Sequence, residues 1–129
     1  MHNENFWERL HAIRRRFAGS LPTKIEESIA ELPDLCGVQM RASAAVEGCY
    51  RRIHGISGLA AIVGFAPTGQ AAKRAEDALA DAFRARRGLT PDEATLFAEE
   101  LHALSAAAAS DLGHGKTVWR VRKITQLSA

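Results

Sequence analysis

The sequence predicts an all-α protein, an antiparallel four-helix bundle with an additional N-terminal helix. Three observations predict it. Alanine supplies 24 of the 129 residues, and Leu, Glu, Arg and Lys are abundant, all side chains that lose little entropy in a helix. Apolar residues recur at three- and four-residue intervals through five successive segments. No stretch of strand length alternates polar with apolar residues. Short breaks between long amphipathic segments make neighbouring helices antiparallel.

The first predicted helix runs from Asn5 to about Ala18, with Phe6, Trp7, Leu10, Ile13 and Phe17 as its apolar stripe. Gly19-Ser20-Leu21-Pro22 reads as a break, because Pro suits a first turn and disrupts a helix interior. The second helix is expected from Pro22 to about Leu32, through Ile25 and Ile29, and Pro33, Asp34 and Gly37 break the chain again. The third, about Val38 to Val63, is the long one. Its stripe is Val46, Cys49/Tyr50, Ile53, Ile56, Ala60 and Val63, and Gly64 ends it. The fourth runs from about Pro67 to Arg86 through Ala71, Ala75, Leu79, Ala82 and Phe83, and Arg87-Gly88 stops it. The fifth has the clearest start: Thr90 at the N-cap, Pro91 at the first helical position, Glu93 completing a capping box. Leu96, Phe97, Leu101 and Leu104 follow, and the helix fades near Ser110 before Gly113-His114-Gly115. Residues 1–112 are thus expected to form one bundle. Residues 113–129 are expected to form a basic C-terminal tail, with Lys116, Arg120, Arg122 and Lys123 around Trp119.

Composition narrows the function classes. With 47% apolar and 25% charged residues the chain has a globular balance. A formal charge of +2 is far below the basic excess of a dedicated nucleic-acid binder. The longest apolar run, Leu59 to Ala66, is well short of the ~20 residues that span a membrane. Met1-His2-Asn3-Glu4 does not open a secretory signal. Cys36 and Cys49 make neither a disulfide framework nor a metal pattern, so the expected compartment is the cytoplasm, with both thiols reduced and no metal.

Of the five histidines, His2 and His114 fall in expected loops, and His11 and His102 lie beside helical core positions. None has a partner at metal-ligand spacing. His54 differs in its neighbours. It stands one residue past Ile53 and so ~100° from the core stripe. Its own face continues through Gly58 and Ala61, beside Gly55 and Ser57. Two helical glycines cost about 1 kcal/mol each relative to Ala. They keep bulk away from the imidazole so that another protein can approach, or Gly58 lets a neighbouring helix of the same chain pack closely. The spacing allows both.

The stretch from Ile53 to Phe65 resembles the signature of histidine phosphotransfer domains. That pattern is His, any residue, an aliphatic residue, often Lys, then Gly, with a second Gly ten residues after the His and an aromatic after it. Here these positions are His54, Ile56, Ser57, Gly58, Gly64 and Phe65. A helix of small residues leading to a Glu follows, as Ala72 to Glu76 does, and Arg16-Phe17 with Leu21-Pro22 is similar to the upstream part. The resemblance spans about residues 6–105.

It implies that His54 is a phosphoacceptor on a helical bundle and that Glu76 orients its imidazole by holding Nδ1–H, leaving Nε2 as nucleophile. It implies docking of a receiver domain over Gly55, Gly58 and Ala61. The implied partners are response-regulator receiver domains or a hybrid histidine kinase, with Mg²⁺ on the receiver and no cofactor on this chain, which is expected to act as a monomer. The family's frequent Lys three residues after the His is Ser57 here. Arg51, one turn before His54, and Lys73 on the next helix are the candidates to supply that charge.

With no Gly-rich phosphate loop and no kinase motif, the chain reads as a phosphotransfer intermediate and not as an enzyme. The alternative reading is a helical adaptor that docks a receiver or other signalling partner without being phosphorylated. Binding of nucleic acid or an acidic partner through the tail is the remaining one. Label incorporation at His54 separates the first two, and salt-dependent DNA binding identifies the third.

Overall fold

The computed structural model describes residues 2–113. They form four α-helices: α1 (His2–Ala30), α2 (Met40–Val63), α3 (Ala66–Ala85) and α4 (Pro91–Leu112), with a 3-10 turn at Leu32–Leu35 between α1 and α2. The basic tail, with His114 and Trp119, lies outside the described residues.

The punctuation read from the sequence sets most of the boundaries. Gly64 and Gly113 cap α2 and α4 in the left-handed conformation that a Cβ disfavours, at φ 82° and 65°. The capping box at Thr90 is present in full: Thr90 Oγ1 accepts from the Glu93 N–H, and the Glu93 carboxylate accepts from the Thr90 N–H. Pro33 sits inside the 3-10 turn.

The break expected at Pro22 is absent, so the described residues hold no separate N-terminal helix. Residues 2–30 are one helix with Pro22 inside it. A proline interior to a helix costs about 3 kcal/mol. Continuity keeps Phe17, Leu21 and Ile25 buried on a single face. Burial of such side chains stabilises by ~1.5–3 kcal/mol each, which outweighs the proline. His2 accordingly opens a helix and not a loop.

The helices alternate in direction around one core. Val46, Ile53, Ile56, Ala60 and Val63 of α2 meet Ala71, Ala75 and Leu79 of α3 and Phe97, Leu101 and Leu104 of α4. The apolar stripe of α1 is only partly used. Phe17 is buried, whereas Phe6, Trp7 and Ile13 are exposed. Arg14 explains the transition. Its Nε and Nη2 donate to the carbonyl of Val63, the last residue of α2, at 3.1 and 2.7 Å, and the turns before it run past that end. At the same end Asp111 Oδ2 accepts from the N–H and the hydroxyl of Thr68, tying the end of α4 to the start of α3.

At the opposite end two loops are stapled together. The Leu89 N–H donates to the Leu35 carbonyl at 2.7 Å, and Cys36 and Leu89 form a single parallel bridge. Gly88 makes this approach possible, because a Cβ there would collide with the Gly37 carbonyl oxygen and the Ala42 methyl. No described helix is long and apolar enough to cross a membrane.

Candidate functional site

The α2 core stripe fixes where His54 points. Ile53 and Ile56 are fully buried, so the ring between them emerges at the edge of the α2–α3 interface, with its side chain 69% exposed. Opposite it, α3 buries Ala71, Ala72 and Ala75. These small side chains let α3 approach α2 closely, and Glu76, next in line, is buried against the same seam. Its carboxylate reaches out to the ring: Glu76 Oε1 lies 2.8 Å from His54 Nδ1. The other oxygen, Oε2, accepts from Lys73 Nζ at 2.9 Å.

The protonation states follow from this geometry. Burial pushes the Glu76 carboxyl up, but the hydrogen bonds from Lys73 and His54 outweigh it and hold the group below the usual carboxylate range. The Lys73 amine is held above its ordinary value by Glu76. An ionised carboxylate only accepts, so Nδ1 carries the hydrogen of the neutral ring and the lone pair sits on Nε2. The Oε1 bond thus fixes both tautomer and ring orientation, as the acid does in a catalytic triad. An oriented nitrogen nucleophile on a rigid helix, with a cation beside it, is chemistry suited to accepting a phosphoryl group.

A protein-family model described as the Hpt domain matches residues 12–107, about three quarters of the chain. The chain belongs to the Hpt domain family. Hpt domains have a histidine phosphotransfer role in phosphorelays and interact there with receiver domains and histidine kinases. No curated protein and no solved structure matches the chain.

Within this Hpt domain the residues singled out from the sequence separate into groups. His54, Glu76 and Lys73 come together through one carboxylate. Arg51 does not join them. It pairs with Glu47 at 2.9 Å on the exposed side of α2. Gly55 and Gly58 face open space, and a Cβ on either would meet nothing within 4 Å. Packing among the described residues therefore does not require glycine at 58. The close helix contact belongs to Gly69, whose Cβ would sit 3.5 Å from that of Ala60. Ser57 and Ala61 line a groove of about 460 Å³ with Gly69, Gln70 and Lys73. His11 and His102 are exposed on α1 and α4.

One neighbour of the site is missing from the sequence reading. Tyr50, placed there on the core stripe, lies parallel to the His54 ring within 6°, at 6.2 Å between centroids, and stacks on Phe83 of α3 at 4.0 Å. Its position one turn before His54 was the available signal; the stack depends on Phe83, which local spacing does not reveal.

Proposed function

We propose that His54 is the phosphoacceptor of this Hpt domain and that it carries a phosphoryl group between the aspartates of receiver domains. The observation that carries the reading is the buried Glu76 carboxylate on Nδ1 of an exposed ring, at 2.8 Å. In the forward step the Nε2 lone pair forms an N–P bond while the O–P bond to the receiver's aspartate breaks. The aspartate carboxylate leaves with the bonding electrons. No proton needs to move, because Nδ1–H is already present and the positive charge that develops on the ring faces Glu76. Lys73, bound to the other oxygen of Glu76 and lining the same groove as Ser57, stands in for the cation that Ser57 does not supply. Transfer to a second receiver is the reverse of the same step. The receiver contributes Mg²⁺. This chain acts as a cytoplasmic, monomeric carrier and not as a kinase.

Gly55, Gly58 and Ala61 are proposed as the receiver's landing surface, since they are exposed beside the ring and, among the described residues, no helix covers the two glycines. The test is label incorporation from a phosphorylated receiver into wild type and His54→Gln side by side. Acid-labile, base-stable label in wild type alone is expected. Equal labelling of the two chains overturns the assignment of His54, and a receiver that binds without labelling either chain supports the adaptor reading.

A further inference from the structure

We propose that a second groove on the His54 face, lined by Arg51, Arg84 and Arg86, takes carboxylate side chains from the surface of the receiver partner and so sets its orientation over the histidine. The proposal rests on the phosphotransfer reading of His54 and names the chemistry by which the partner is recognised.

The face around His54 is not uniform along α2. Towards the C-terminal end of the helix the groove beside Ala61 and Gly69 is mostly apolar, with Lys73 at its margin. Towards the N-terminal end lies a different groove of about 420 Å³, between α2 and the end of α3. Ser43, Glu47 and Arg51 line it from α2, and Phe83, Arg84 and Arg86 from the other side. Its surface is largely polar. Phe83 connects it to the site, because its ring stacks on Tyr50 and Tyr50 lies parallel to His54.

Three guanidinium groups share this groove with few carboxylates. Glu47 pairs with Arg51 at 2.9 Å and Asp81 approaches Arg84 only to 3.7 Å. All four side chains are more than half exposed, and such pairs exchange readily for a partner's carboxylate. Among the described residues no carboxylate pairs with Arg86. The adjacent Arg87 is engaged elsewhere, by Glu93 at 2.6 Å.

Arg86 carries the argument further. It caps α3 in the left-handed region, at φ 53° and ψ 53°, and it alone among the described non-glycine residues has positive φ. Glycine or asparagine suits that cap better. The cap is held by the Arg86 N–H on the Ala82 and Phe83 carbonyls, and it carries a long cation at the rim of a cationic groove where glycine would cost less. An apolar groove on one side of the histidine and a cationic one on the other admit one rotational setting of a partner with matching patches.

The test uses the full chain and a receiver domain selected from a panel because it binds wild type. Receiver binding and phosphoryl transfer are measured separately, at about 0.1 M and about 1 M salt, where the Debye length is ~10 and ~3 Å. Wild-type binding is expected to weaken several-fold at the higher salt. Arg86→Gly, which relieves the left-handed cap and so does not threaten folding, and Arg84→Ala are expected to raise the half-saturating receiver concentration by roughly 3–10-fold at the lower salt and to flatten the salt dependence. Arg84→Lys is expected to restore part of the affinity. Variants that match wild type in affinity and salt slope overturn the groove while leaving phosphotransfer standing. Salt-sensitive binding that the variants weaken, with no transfer in wild type, supports the groove and removes the phosphotransfer reading instead.

Discussion

His54 and Glu76 share a 2.8 Å hydrogen bond although their side chains are 69% and 5% exposed. The imidazole is open to a partner while the group that orients it is locked in the α2–α3 seam. Orientation of the ring is therefore built into the core although the ring itself is exposed. Replacing Glu76 by Gln keeps a carbonyl acceptor and removes the charge. A charge-assisted hydrogen bond is about twice as strong as a neutral one, a difference on the order of 1 kcal/mol. Glu76→Gln should slow single-turnover transfer by roughly fivefold without abolishing it, because the nucleophile remains. A variant that transfers at the wild-type rate would show that the carboxylate is structural only.

Two glycines should respond in opposite directions to the same small substitution. At Gly58 a Cβ meets open space, so Gly58→Ala should raise stability by about 0.5–1 kcal/mol through the cost of glycine in a helix. At Gly88 a Cβ meets the Gly37 carbonyl oxygen, with Ala42 Cβ at 2.9 Å, so Gly88→Ala should lower stability by about 1–3 kcal/mol. Urea unfolding measures both. The bulkier Gly58→Leu should leave the fold in place and reduce transfer by about tenfold or more, by holding the receiver's aspartate away from His54.

Pro22 offers a stabilising change inside α1. Pro22→Ala restores an N–H that can donate to the carbonyl one turn earlier, and it should raise stability by ~1–3 kcal/mol. The urea midpoint should rise with no change in the denaturant slope. A fall in the midpoint would mean that the helix needs the bend a proline imposes.

Acid should reveal Glu93. Arg87 grips both of its oxygens, at 2.6 and 3.1 Å, and outweighs burial, and the Thr90 N–H adds to it, so the carboxyl is held down from 4.5 to about 2. A group whose folded pKa is depressed contributes stability above its unfolded value and loses it as the pH falls towards the folded one. Stability should therefore decline from pH 4.5 towards about 2, and Glu93→Gln should flatten that slope. Unfolding free energies at stepped pH check it, and parallel slopes in the two chains would assign the acid sensitivity to other carboxyls.

Much of this arrangement was legible because it is local. The helical period around Ile53 and Ile56 places His54 at the edge of a stripe, and Thr90 with Glu93 announces the start of α4 within four residues. The continuity of α1 was not legible. Pro22 is a local instruction to stop, overridden by the burial of Phe17, Leu21 and Ile25, which only the other helices provide. Leu96 was misplaced for a similar reason: it adjoins Phe97 on the stripe, yet it is 47% exposed because the core accepts only one of the two. Arg14 on the Val63 carbonyl, Thr68 on Asp111 and Phe83 against Tyr50 are pairings between distant segments, and no local spacing announces them.

The Leu35–Leu89 hydrogen bond has a topological consequence. It ties the chain into a noose that encloses all of α2 and α3, and with them His54, Tyr50, Lys73 and Glu76. The noose is drawn shut at the end of the bundle from which the exposed turns of α1 are farthest. Fraying of those turns, or of the last turn of α4, begins outside it. The Glu76–His54 pair lies wholly within the noose, and Arg14 and Asp111 tie the two outer helices to it at Val63 and Thr68.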